Sequence, residues 1–173
     1  MTTPRRPPSG RAAPGAARPS LRAVSRRRAG PALQEALAEA CRARGLPVTA
    51  QRRVVFEALA ARDDHPTAEA LYDAVRATLP GISRATVYRV LDALVEMGLA
   101  TRIPHPSASA RFEARTERHH HLHCSVCHRV CDVESETLDA LVLPRARGFE
   151  IHDFSIHFTG VCPSCRSPRK GDA

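Results

Sequence analysis

Two Cys-x-x-Cys pairs, Cys124/Cys127 and Cys162/Cys165, restrict this chain more than any other feature, with 34 residues between them. Two thiolates three positions apart can grip one ion from a tight turn, and a second pair completes a tetrahedron. A structural zinc held by all four would staple the last strand to the start of a domain of roughly 50 residues, whose core alone is small. An iron–sulfur site and a reversible disulfide are rival readings. Neither pair lies in the strand-to-helix setting of a thioredoxin-like redox motif, so structural zinc is favoured. The leftover thiols, Cys41 and Cys131, are each expected to be buried and spare.

Charge is distributed unevenly. The chain has 173 residues, room for one or two small domains, with 26 Lys+Arg against 18 Asp+Glu. Residues 1–31 hold eight arginines, six prolines and no acidic group, so residues 32–173 balance 18 basic against 18 acidic side chains. The pI of 9.9 therefore describes a basic tail on a neutral body. A segment so poor in apolar groups cannot offset its ordering entropy, and disorder is expected over 1–31 and again over 167–173. The arginines either add sequence-independent attraction to phosphates or have no specific use. No apolar stretch approaches the ~20 residues of a membrane-spanning helix, and no apolar segment of a secretory signal follows the arginines. A cytoplasmic protein is expected.

Periodicity divides the body in two. Leu33, Leu37, Ala40 and Cys41 recur at helical spacing until Gly45 and Pro47. Thr49 opens a second helix with Val54, Val55, Ala58 and Leu59 inward, broken by His65-Pro66-Thr67. Thr67 caps a third with Ala70, Leu71, Ala74 and Val75 inward, and Ser83 caps a fourth carrying Val87, Val90, Leu91, Leu94 and Val95 to Gly98. The period then becomes two, predicting strands Leu99–Ile103 and Ala110–Ala114. This is a winged helix-turn-helix pattern over residues 32–115. Residues 116–166 read as a smaller α/β unit, with strands near His121–Cys124 and Val130–Val133, a short helix within Ser135–Leu143, and a last strand from Phe149 to Phe158. The fold class is α+β.

Two further patterns carry chemistry. Five of nine histidines lie within His119–His128. On a strand, His119, His121 and His123 share one face and His120 takes the other. Imidazoles so aligned suit a borderline divalent metal, against a surface run or neighbours of the zinc site. The helix at 83–99 offers Arg84, Thr86, Tyr88 and Arg89 from its first turns, while its aliphatic stripe packs inward. Such side chains read bases or phosphates when a helix enters the major groove. The 32–105 segment has nine basic and nine acidic residues, so only local placement argues for DNA.

Together these pieces resemble the ferric uptake regulator (Fur) superfamily of bacterial metal-dependent repressors. The matching segments are TAQRRVVFEAL (49–59), HPTAEALYDAV (65–75), ISRATVYRVLDALVEMGL (82–99), RFE (111–113), HHHLHCSVC (119–127), CD (131–132) and GFEIHDFSIHFTGVCPSC (148–165). The resemblance implies a winged-helix DNA-binding domain followed by a dimerisation domain, with Cys124, Cys127, Cys162 and Cys165 on structural zinc. It also implies a regulatory site of His65, Glu113, His119, His121 and Asp132 that takes Fe(II) or Mn(II), with Zn(II) as the alternative. A homodimer would then repress iron-homeostasis or peroxide-stress genes from palindromic AT-rich operators. A zinc-uptake repressor is the alternative subtype. Several positions depart from the family pattern: His128 stands where many members have Gly, His123 adds an imidazole, and Phe154 replaces the last-strand histidine that would join His120 in a further site. The short segment from 133 to 147 resembles peroxide-sensing members, whereas Glu113 stands where those usually carry Asp.

A metal-dependent hydrolase using the histidine cluster is the competing class. No His-Glu-x-x-His and no nucleophile–base pair outside the cluster supports it, and an enzyme is not expected. If the tail acts only electrostatically, deleting residues 2–30 lowers DNA affinity at low salt and flattens its salt dependence, leaving sequence preference intact. Gel-shift titrations across ionic strength measure this, and loss of recognition of the preferred site would contradict it.

Overall fold

Polar caps and apolar stripes cut the first half of the chain into four helices. The computed structural model describes residues 30–105, 108–115, 117–141, 148, 149, 151 and 154–166. Of the tails expected at 1–31 and 167–173, residues 1–29 and 167–173 lie outside the described residues, as does His152, whereas Pro31 already belongs to a helix. Helix α1 (Pro31–Ala43) starts behind Gly30, whose φ of 66° suits glycine, with proline at the first turn. Helices α2 (Ala50–Ala60), α3 (Ala68–Val75) and α4 (Arg84–Glu96) are each capped by a hydroxyl. Thr49 Oγ1 accepts from Arg52 N at 3.3 Å, Thr67 Oγ1 from Ala70 N at 3.2 Å, and Ser83 Oγ from Thr86 N at 3.1 Å.

The helices close on one aliphatic core. Leu37, Cys41, Val55, Leu59, Leu71, Val87, Leu91 and Leu94 are fully buried. Two stripes differ from expectation. In α2 the buried set is Val55, Phe56, Leu59 and Ala60, because the helix packs against α1, α3 and α4 and turns Phe56 inward. In α3 it is Ala68, Leu71 and Val75, while Ala74 is exposed.

The wing is a short antiparallel pair, β1 (Thr101–Ile103) with β2 (Arg111–Glu113), in the register Thr101↔Glu113 and Ile103↔Arg111. Both strands are shorter than expected. Leu99 and Ala100 belong instead to the exit turn of α4, where both amides donate to Leu94 O. Phe112 enters the helical core, and its amide donates to Pro66 O at 3.0 Å, which ties the wing to the turn before α3.

A second sheet has the order β4 (Val130–Val133), β3 (His120–Cys124), β5 (His157–Gly160). β3 is antiparallel to β4, with His121 opposite Asp132, and parallel to β5, with His121 opposite His157. The strand expected over Phe149–Phe158 is therefore shorter and displaced toward the C-terminus. Its extent is set by pairing with His121–Cys124, and Phe149 is 80% exposed. Short helices α5 (Glu136–Asp139) and α6 (Pro163–Arg166) follow β4 and β5, and α6, which the periodicity does not predict, carries Cys165.

Leu91→Ala should cost about 2–5 kcal/mol, because a fully buried leucine leaves both transfer and cavity penalties. Arg89→Ala, on the exposed face of the same helix, should stay within about 0.5 kcal/mol. Equilibrium denaturation of both variants checks the packing assignment.

Candidate metal centres and the exposed face of the fourth helix

The turn between β3 and β4 brings Cys124 and Cys127 together. His128 N donates to Cys124 O at 2.9 Å, and His128 holds φ 59°, the left-handed region that favours glycine. A side chain there costs roughly 1–2 kcal/mol, so this turn keeps the glycine conformation without the glycine. At the far end, Cys165 N donates to Cys162 O at 3.0 Å as α6 begins. The parallel pairing of β5 with β3 then superimposes the two turns. All four sulfur atoms lie within 4.8 Å of one another, and Cys127 Sγ is 3.7 Å from Cys162 Sγ. Four thiolates on one zinc at Zn–S of ~2.3 Å have sulfurs about 3.8 Å apart, so the set fits a structural zinc.

Without an ion the four sulfurs do not ionise alike. Backbone N–H groups of Cys127, Cys162 and Val126 hold the Cys124 thiol down at about 6, in favour of the thiolate. Cys165 is pushed up to about 12 by hydrogen bonding with Cys162 and Cys127. Among the other thiols, Cys41 is buried as expected. Cys131 is not. It sits opposite Leu122, a half-exposed residue, and is exposed on β4, whereas its neighbour Val130 takes the buried face.

The second cluster gathers His65, Glu113, His119, His121 and Asp132, with one ligand atom from each within 4.8 Å of the others. His65 comes from the turn before α3, Glu113 from the end of β2, His121 from β3 and Asp132 from β4, while His119 immediately precedes β3. His65 adopts φ 51°, and its carbonyl accepts from Arg111 Nη1 at 3.0 Å. That strained backbone aims its ring at the junction. His65 Nε2 is 2.6 Å from Asp132 Oδ1 and 3.3 Å from Glu113 Oε2. His119 Nε2 is 3.0 Å from Glu113 Oε2, and His121 Nε2 is 3.4 Å from Glu113 Oε1. His119 Nδ1 lies 2.8 Å from Glu117 O; a carbonyl only accepts, so Nδ1 keeps a proton and Nε2 is the nitrogen left to the cluster, donating to Glu113 when protonated and free for an ion when not.

The charges are mutually supporting. Burial opposes protonation of His65, but Asp132 and Glu113 overcome it and raise its pKa to about 9. Burial likewise opposes a charge on Glu113, yet the imidazoles of His119, His121 and His65 facing it hold it far below the ordinary carboxylate range. His119 is raised and Asp132 lowered in the same way, each against its own desolvation. Buried polar atoms without an aligned hydrogen-bond partner include both ring nitrogens of His121, Glu113 Oε1 and Asp132 Oδ1. The 3.4 Å approach of His121 Nε2 to Glu113 Oε1 is thus a contact without hydrogen-bond geometry. Three imidazoles and two carboxylates converging this way suit a divalent cation of the Fe(II), Mn(II) or Zn(II) class. A cavity of about 110 Å³ lined by His119, His121, Glu113 and His157 opens the cluster toward solvent.

Sequence alone gives no sign of Arg115, which lies 3.2 Å from Asp132 Oδ2 and also pairs with Glu134, holding the carboxylate from behind. An isolated arginine carries no local signal of such a role. His120 turns away from this cluster: it is fully buried, stacks on Phe154 at 5.9 Å, and lies 3.3 Å from Asp139. On α4, Arg84, Tyr88 and Arg89 are exposed and Thr86 is half-buried. Arg84 stacks on Tyr72 at 4.7 Å, and the Tyr88 hydroxyl donates to Glu69, so both are held by α3.

A family model described as the ferric uptake regulator family matches residues 43–159. The transcriptional regulator FurA of Mycobacterium tuberculosis is 37% identical over 131 residues, covering 74% of this chain and 88% of its own. The peroxide operon regulator of Bacillus subtilis is 33% identical over 135 residues, covering 77% of this chain and 92% of its own. Among solved structures, a zinc-bound manganese uptake regulator superposes with a TM-score of 0.58 at 31% identity, covering 73% of this chain and 98% of the other.

The histidine cluster makes metal affinity pH-dependent in a stated direction. The folded pKa of His65 lies above its unfolded value, so its ion pairs stabilise the ion-free chain fully below pH 6.5 and lose that contribution as pH rises through 9. A divalent ion displaces the same proton. The apparent affinity of the cluster for Mn(II) should therefore rise about tenfold per pH unit between 6.5 and 9. Chelator-competition titrations measure it, and a pH-independent affinity would contradict the assignment.

Proposed function

Given that this chain belongs to the ferric uptake regulator family of metal-responsive transcriptional regulators, we propose that it is a DNA-binding repressor whose grip on its operator depends on the five-ligand cluster. One observation carries this reading: the ligands come from both halves of the molecule. His65 belongs to the helical domain and Glu113 to the wing, while His119, His121 and Asp132 belong to the sheet. Ligation through both sides holds the helical domain at one angle to the sheet. Metal availability then becomes a population shift toward a DNA-competent form. Glu113 and Asp132 make the set harder than an all-nitrogen site, which favours Fe(II) or Mn(II), with Zn(II) as the alternative effector. The four cysteines hold a structural zinc.

Residues Arg84, Thr86, Tyr88 and Arg89 face the major groove in this reading, and the operator is palindromic and AT-rich because two copies bind it. The sheet supplies a surface for that dimer: Leu122, Val126, Phe158 and Val161 are apolar and 37–59% exposed. Iron-homeostasis or peroxide-stress genes are the proposed targets, in the cytoplasm, with no catalytic turnover. Among the described residues no helix is long and apolar enough to cross a membrane. The relative named as a peroxide operon regulator supports a peroxide-linked signal as a second reading.

The test is metal-dependent binding to a palindromic AT-rich duplex, with protein handled without oxygen. His65→Ala, His119→Ala and His121→Ala should each abolish the response to added Fe(II) or Mn(II) while zinc stays on the cysteines. Arg89→Ala should weaken binding by about 1–3 kcal/mol if it reaches a base edge, and Tyr88→Ala should lower specificity. Metal-independent binding by the wild type would sink the proposal. Peroxide treatment of the iron-loaded protein, followed by mass spectrometry, separates the two signals. One added oxygen on a peptide containing His65, His119 or His121 supports peroxide sensing.

A further inference from the structure

Beyond His121 a second group of imidazoles sits between the wing and the sheet, and the regulatory reading makes no use of it. His123 projects from β3 and is only 2% exposed. Its Nε2 lies 3.2 Å from Nδ1 of His157 on β5, and the two ring centroids are 5.2 Å apart. Its Nδ1 is buried without a hydrogen-bond partner. His105, just after β1, places its ring 5.1 Å from that of His123. The titratable neighbours acting most on His123 are His157, His105, His121 and Arg111, all of them bases.

The spacing of the His123–His157 pair is that of two ligands on one ion. Two imidazoles on a tetrahedral ion at metal–nitrogen distances of ~2.0–2.1 Å have nitrogens about 3.3 Å apart and ring centroids about 5 Å apart. The His123–His157 pair meets both values, and His105 stands from His123 at the same centroid distance. A hydrogen bond between two imidazoles would explain the 3.2 Å approach alone. It would not explain a third ring at the same centroid spacing from His123, in a pocket with no carboxylate among those neighbours.

We propose that His105, His123 and His157 form a further metal site, separate from the five-ligand cluster and the four cysteines, for a borderline divalent cation. An all-imidazole set lacks the carboxylates that suit Fe(II) and Mn(II), and it takes Zn(II), Ni(II), Co(II) or Cu(II). His105 reaches the ion by turning about its side-chain torsions, since it is half-exposed at the end of the wing strand. Occupancy ties the wing to β3 and β5. The site goes beyond the proposed function and does not rest on it.

The experiment is equilibrium dialysis of the full chain, zinc retained on its cysteines, against Ni(II), with bound metal read by elemental analysis. The His65→Ala/Asp132→Ala variant, whose regulatory cluster is disabled, should still bind one Ni(II). Adding His105→Ala or His157→Ala to that variant should weaken the ion by about tenfold or more, with cysteine zinc and melting temperature unchanged. His123→Gln should do the same, and because His123 is buried and its variant is apt to misfold, the two more exposed histidines keep the test decisive. No Ni(II) bound by the His65→Ala/Asp132→Ala protein, or one binding curve with and without His105 and His157, overturns the proposal.

Discussion

Everything at the junction of this molecule depends on Glu113, a carboxylate 6% exposed and surrounded by three imidazoles. A buried charge is tolerated only when it is paired, and removing one partner from such a set is far costlier than removing an exposed ion pair. Glu113 ends the wing strand, so its partners fix the wing against the turn at His65 and against β3 at once. The backbone strain at His65, the Arg111 hydrogen bond to its carbonyl and the Arg115 contact to Asp132 all serve to keep those partners in place. The functional cluster and the interdomain contact are therefore one object.

The two metal sets divide the work by chemistry. Four thiolates with backbone donors around Cys124 make a closed, soft site whose occupant joins β5 and α6 to the β3–β4 turn. Its binding energy is folding energy for a sheet of three short strands. The mixed nitrogen and oxygen set is harder, and a cavity opens it toward solvent. Exchange of ions is natural there and unwelcome at the cysteines. Softness and access, more than raw affinity, distinguish the two sets.

Legibility in the sequence differs from element to element. The four helices are legible, because Thr49, Thr67 and Ser83 cap within three residues and apolar spacing repeats every three or four. The cysteine set is legible from spacing alone. The alternation of His119, His121 and His123 announces a shared face, but His65, Glu113 and Asp132 join it only through the family resemblance. Nothing local marks a histidine before a proline, or a carboxylate after a phenylalanine, as members of one cluster. Arg115, His105 and His157 escape notice for the same reason: each matters through a residue that lies far away in the chain.

What the sequence by itself determined is what travels along the chain: caps, periodicity, the α+β order, the soft and hard donor types and their sequence positions. Tertiary structure decided what depends on pairing across long separations. Parallel pairing of β5 with His121–Cys124 moved the last strand from Phe149–Phe158 to His157–Gly160 and set His157 beside His121 and His123. The β3–β4 register turned Cys131 outward against expectation and put Asp132 opposite His121. A strand's side-chain period is two whichever partner it takes, so alternation names the faces without saying which one is buried or where pairing begins. Register and burial are settled only when the neighbouring strand arrives.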